Sequence, residues 1–215
     1  MFFDRNERMA LFIDGPNLYA SMRQLGFEID YRRLLGVFRE RARLIRAYYY
    51  TAIADDQEFS SVRPLVDWLD YNGFSVVTKP IRETMEHDGR RRLKGNMEVE
   101  LAVDAMRIAA HIDHLIFFSG NGNLRYLVAA LQERGRRVSV VSTLQTQPQM
   151  ISDDLRRQAD QFVDLTDLEG KIGRPQADPD RRKLASHQVA ISVGSDVTGL
   201  AHPAFNRDIS SKGDK

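Results

Sequence analysis

The chain has 215 residues, 42% hydrophobic and 28% charged, with 31 basic and 30 acidic side chains and a formal net charge of +1. That length suits one well-buried domain, and the lack of cysteine excludes disulfides, thiolate chemistry and cysteine-ligated zinc. Basic and acidic residues nearly balance on both sides of Leu168, so nucleic-acid contact has to rest on local clusters rather than on a global basic excess. No apolar run approaches the ~18 residues of a membrane span. The start, Met1-Phe2-Phe3-Asp4-Arg5-Asn6-Glu7-Arg8, lacks the apolar core of a secretion signal, and the cytoplasm is the expected location.

Met9-Ala10-Leu11-Phe12-Ile13-Asp14 is an apolar run that ends on a carboxylate, and a helix is expected over residues 17–25. Asp30 stands at an N-cap position before Tyr31-Arg32-Arg33-Leu34-Leu35-Gly36-Val37-Phe38, whose apolar spacing suits a helix. Residues 44–53, with Tyr48-Tyr49-Tyr50, favour a strand. A helix over 60–72 follows, with Gly73 as its C-cap, and then a strand at 74–77. His87-Asp88-Gly89 is a hairpin-type turn signal flanked by Arg90, Arg91, Arg92 and Lys94. Beyond it the pattern predicts a helix over 97–111, a strand at 115–118, a helix over 124–134 and a strand at 138–141. A helix near 151–159 and a strand at 162–165 complete the series. Strands alternating with helices imply an α/β fold with a mostly parallel central sheet covered on both faces. Past Leu168 the hydrophobic period fades into Gly, Pro, Ser, Asp and Lys, so 1–168 is expected as the domain and 169–215 as a disordered, flexible tail. Val189-Ala190-Ile191-Ser192-Val193 is the one strand-like segment in that tail.

Ligands of open α/β sheets collect at the carboxyl ends of strands. Two apolar strands end there in polar residues: Asp14 with Asn17, and Ser119-Gly120-Asn121-Gly122-Asn123. Glu98, Glu100 and Asp104 on the 97–111 helix join the same set of oxygen donors, which would suit Mg²⁺ or Mn²⁺. Such an ion can activate a water for attack on phosphorus. Each residue also has a purely structural explanation. Asp14 can shape a turn before Gly15-Pro16, Asn17, Asn121 and Asn123 can cap helices, and Glu98 can answer the helix dipole. Glu100 and Asp104, one turn apart, can form a solvated face. No P-loop, nucleophile elbow or dinucleotide fingerprint occurs, and the five histidines show no zinc-site spacing.

Three ordered segments carry a resemblance: Phe12-Ile13-Asp14-Gly15-Pro16-Asn17-Leu18, then Lys94-Gly95-Asn96-Met97-Glu98 through Asp104, then Ser119-Gly120-Asn121-Gly122-Asn123-Leu124-Arg125-Tyr126-Leu127. Together they resemble the NYN domains of the LabA-like family, in the PIN-like nuclease superfamily, over about residues 9–168. Arg136 through Ser142 and Leu155 through Asp160 also look like that family. The resemblance implies a Rossmann-like, PIN-like three-layer sandwich and a ribonuclease centre using one or two Mg²⁺ or Mn²⁺ ions. It places the catalytic positions at Asp14, Glu98, Asn121 and Asn123, and the metal positions at Asp14, Glu98, Asp104 and Asn123. The family's Ser-Gly-Asp-Gly-Asp-Phe motif falls on Ser119 through Leu124, where this chain has Asn at 121 and 123 and Leu at 124, while position 98 carries the longer acid. Asn keeps the size and turn preference of Asp but drops its charge, and metal affinity follows the number of charged ligands.

Two functions of different kind follow from these residues. One is a divalent-metal-dependent ribonuclease, weakened at two positions, with Asn17, Ser119, Arg125, Lys94 and Arg92 as substrate-binding residues on RNA. The other is a non-catalytic NYN-like module that binds RNA or a protein partner. A homo-oligomer, or a protein partner docked on the domain surface or tail, is compatible with either. Tyr48-Tyr49-Tyr50 could mark such an interface, although a buried strand explains them more simply.

Overall fold

The computed structural model describes residues 4–53, 62–85, 91–94 and 96–175, with the side chains of 82–85 and 91–94 left aside. Six parallel strands form its centre: β1 (Arg8–Asp14), β2 (Arg43–Ile53), β3 (Ser75–Pro80), β6 (His114–Phe118), β7 (Arg137–Ser142) and β8 (Gln161–Asp164). They lie side by side in the order β3-β2-β1-β6-β7-β8. The antiparallel pair β4 (Arg82–Met85) and β5 (Arg91–Lys94) forms the hairpin expected from the turn signal. The turn residues themselves, with Arg90, lie outside the described residues.

Side chains alternate along each strand, and that alternation builds two cores. Met9, Leu11 and Ile13 of β1, Tyr49 of β2 and Phe118 of β6 face one way. They pack there against α1 (Gly15–Leu25), α2 (Tyr31–Arg39) and α3 (Arg63–Tyr71). Ala10, Phe12, Tyr48, Tyr50 and Phe117 face the other way, onto α4 (Glu98–Ile108), α5 (Arg125–Glu133) and α6 (Asp153–Gln158). Helix–sheet–helix is the three-layer arrangement expected of the chain. Period-2 burial on both faces explains why the central strands are apolar throughout. The rings of Tyr48, Phe12 and Phe117 stack across β2, β1 and β6, with centroids 5.2 and 5.0 Å apart. The tyrosine triplet is buried, so it belongs to the core and not to a partner surface.

Asp30 caps α2 by accepting from the Arg32 and Arg33 amides, as its position predicted. Several boundaries differ, three of them informatively. The helix expected at 60–72 is α3, entered through Pro64; Asn72 is its C-cap and Gly73 follows with a positive φ. The helix expected to run through His111 tightens after Ile108 into a 3₁₀ turn at Ala109–His111. The ordered fold also runs past Leu168, where the hydrophobic period fades. α7 (Glu169–Ile172) buries Ile172, Asp30 N donates to Ile172 O, and Gly173 bridges Ile29. A single apolar residue in a four-residue helix is too short a signal for periodicity to register. The rest of the expected tail, 176–215 with the 189–193 segment, lies outside the described residues. Among the described residues no helix is long and apolar enough to cross a membrane.

Candidate active site at the carboxyl edge

The strand order reverses direction between β1 and β6: chain crossovers leave β1 toward β2 and β3, and leave β6 toward β7 and β8. Loops at such a switch point diverge and open a crevice at the carboxyl ends of the strands. Ile13 pairs with Phe118, so the next residues on each strand, Asp14 and Ser119, stand abreast at the mouth of that crevice. Sequence alone could name both strand ends. Only the pairing of strands more than a hundred residues apart brings them together.

Asp14 has two duties. One oxygen accepts from the Asn17 amide at 3.3 Å and caps α1, and the other accepts from the Ser119 hydroxyl at 2.9 Å. Burial pushes the Asp14 carboxyl above its ordinary value, and the negative charge of Glu98 adds to that push. The bonds from Ser119 and Asn17 oppose it. Asn17 reaches across the crevice, where its Oδ1 accepts from Gly120 N at 3.0 Å. Asp14 is a true cap of α1, whereas Asn17 lies inside that helix and spends its side-chain oxygen on Gly120, so both residues are tied to the second strand end.

Glu98 lies in the first turn of α4, and Asn121 Nδ2 donates to its Oε1 at 2.6 Å. Asn121 is itself pinned, its N–H on Ser119 Oγ at 3.2 Å and its Oδ1 accepting from Asn123 N at 3.0 Å. An amide at 121 thus supplies a donor that a carboxylate could not. Asn123 is exposed just beyond, in the 3₁₀ turn Gly122–Leu124 that leads into α5. Asp14, Asn17, Glu98, Ser119, Asn121 and Asn123 form one connected network.

The acids further along α4 are engaged elsewhere. Asp104 is buried, with one oxygen accepting from Tyr50 OH at 3.1 Å and the other paired with Arg107 at 2.6 Å. It is a core anchor between α4 and β2, and the metal position implied for it is not what its contacts describe. Glu100 is tied to Lys79 at the end of β3, at 2.9 and 3.0 Å, and that ammonium holds its carboxyl below the ordinary value. Among the described residues no group of three or more His, Cys, Asp or Glu side chains could hold a metal ion. Arg125 opens α5 beside the motif, half-exposed and 4.0 Å from Asp154. Arg92 and Lys94 are in β5, and their side chains are not among those described.

One element of the site was not legible in the sequence: the segment from Thr143 to Ser152 that follows β7. Ser152 N donates to Gly120 O at 3.0 Å, and the Met150 carbonyl packs so tightly on Gly120 that any Cβ there would collide with it. Thr143 and Leu144 N both bond Asp164, which fixes the start of the segment. The signal was present in Ser152, whose position before Asp153-Asp154 is that of a helix cap. Nothing local tied it to Gly120.

A model of the NYN domain family matches residues 8–167. The chain belongs to the NYN domain family. This NYN domain is LabA-like: it is 30% identical over 176 residues to the low amplitude and bright protein LabA of Synechococcus elongatus, covering 80% of this chain and 91% of that protein. Its fold is also similar to the crystal structure of a protein of unknown function from Vibrio parahaemolyticus. That match has a TM-score of 0.64 at 26% identity, and covers 81% of this chain and 100% of the other. The match to the family spans β1 through β8, so it takes in both strand ends of the crevice.

Proposed function

We propose that this NYN domain binds RNA across the β1–β6 crevice and hydrolyses its phosphodiester bonds with the help of a divalent cation, at a rate lowered by the two asparagines. The observation that carries this reading is the pairing of Asp14 with Glu98. These acids sit close enough for one charge to raise the other's pKa, inside a network that holds both in place. Two carboxylates with nearby amide oxygens fit one loosely held Mg²⁺ or Mn²⁺, and do not fit a pair of ions. Such an ion, when bound, would activate a water and neutralise charge on the phosphate.

The chain's own residues supply the rest. Ser119 and the α1 cap orient the Asp14 carboxylate toward the crevice, and Asn17 braces the Gly120 backbone that carries Asn121. Arg125 offers a cation beside the motif for a neighbouring phosphate. The bond from Asn121 Nδ2 to Glu98 favours a second reading, a non-catalytic RNA-binding module, because an amide proton already engages one of the two oxygens that Glu98 could offer an ion.

Cleavage of a labelled mixed-sequence RNA in Mg²⁺ or Mn²⁺ decides between them, run beside Asp14→Ala and the double variant Asn121→Asp with Asn123→Asp. Metal-dependent cleavage that Asp14→Ala abolishes supports the nuclease. Cleavage only in the double variant supports the silent module. Cleavage in neither, without RNA binding, refutes both.

A further inference from the structure

Among the described residues the exposed large apolar side chains are Tyr19, Ile45, Tyr71, Val99, Val103 and Tyr126. Four of them, Tyr19, Val99, Val103 and Tyr126, fall in the first two turns of α1, α4 and α5. Those are the helices that start at Asp14, at Glu98 and at the Gly-Asn motif. Core packing does not account for this placement, since each helix buries other residues: Leu18 of α1, Leu101 and Ala105 of α4, Leu127, Val128 and Leu131 of α5.

Tyr126 is the most specific of the four. It is 74% exposed, and the Arg125 guanidinium lies over its ring, 4.8 Å from the centroid. Side chains in the first turn of a helix lean toward its N-terminus, which for α5 is the end that carries Asn121 and Asn123. One face of the ring is thus backed by a cation while the residue as a whole stays open to solvent. A tyrosine serving only the fold would bury its ring, and a tyrosine serving only solubility would not need a guanidinium laid across it.

We propose that Tyr126, backed by Arg125, is a base-stacking platform that selects the nucleotide next to the reaction site. The base lies on the open face of the ring, and the guanidinium polarises the ring and meets a flanking phosphate. Because stacking grows with the π surface of the base, the platform favours a purine at this one position, while phosphate contacts elsewhere accept any base. This inference rests on the RNA reading of the same site and adds to it a residue that sets base preference.

The test is fluorescence anisotropy with two short labelled oligomers, an oligoadenylate and a matched abasic ribose-phosphate strand, on the full chain. Tyr126→Ala should weaken oligoadenylate binding by roughly 5- to 150-fold and leave abasic binding unchanged. Tyr126→Phe, which keeps the ring, should bind both strands like the original. A Tyr126→Ala effect of equal size on both strands, or on neither, overturns the platform while RNA binding by the original chain still stands. If the original chain binds neither strand, the RNA reading fails and the platform with it.

Discussion

Replacing Asn121 by Asp restores a carboxylate where the family motif expects one, and the consequence for stability can be worked out from the geometry. In the present chain Asn121 Nδ2 donates to Glu98 Oε1 at 2.6 Å. A carboxylate at 121 turns that bond into a contact between two anions. Splayed to about 4 Å, they repel by roughly 1 kcal/mol if water screens them fully and about 4 kcal/mol at the effective dielectric of a protein surface. The lost hydrogen bond to a charged acceptor adds about 1.5–3 kcal/mol. Both groups are half-buried, so the screened end of the range carries more weight. A net loss of about 2.5–4 kcal/mol is expected at pH 7 in a metal chelator.

Two further results follow from the same charges. The repulsion raises the pKa of the carboxyl pair in the folded state above its unfolded value. The loss is therefore greatest when both are ionised and is regained as pH falls through the raised pKa. Mn²⁺ should also restore stability, by about 2.7 kcal/mol at a free concentration of 100 times its dissociation constant, whereas the original chain should respond far less. Urea unfolding of both proteins, with chelator and with Mn²⁺, measures all of this. An Asn121→Asp protein as stable as the original in chelator, with no greater response to Mn²⁺, would refute the reasoning.

Tyr50→Phe leaves Asp104 buried with one bond fewer and should cost about 1–3 kcal/mol in unfolding free energy. If Asp104 is an anchor rather than a ligand, Asp104→Asn should lower the melting temperature and leave Mn²⁺ affinity, read by calorimetry, within about twofold. Gly120→Ala should destabilise by at least about 1–3 kcal/mol, because the added methyl meets the Met150 carbonyl and the backbone has to shift; normal melting would show that the segment yields easily. His114 is fully buried at the opposite end of β6, where burial and then Arg137 push its pKa down to about 3 from 6.5. The unfolded chain binds a proton that the native imidazole refuses, so stability from this group is whole above pH 6.5 and is lost on acidification, by about 1.4 kcal/mol per pH unit until pH nears 3. Unfolding of the original chain and of His114→Gln at several pH values should show a shallower acid slope in the variant.

Local chemistry was enough to determine the class of this protein. Period-2 burial needs apolar residues on both faces of β1 and β6, so Met9–Ile13 and Leu115–Phe118 announce buried parallel strands by their residue types alone. Asp30 and Ser119-Gly120-Asn121-Gly122-Asn123 reveal caps and turns, because such residues act on the backbone within a few positions of themselves. Contacts between distant segments were beyond that reach. Whether Asp104 turns toward the crevice or toward Tyr50, and whether Glu100 meets solvent or Lys79, depends on which strand lies under each turn of α4. The clasp of Met150 and Ser152 on Gly120 depends on β7 lying next to β6, and α7 on its packing beside α2. Side chains that share a helix face in sequence were parted by the strands beneath them, and Asp14 and Ser119, far apart in the chain, were joined by the pairing of β1 with β6.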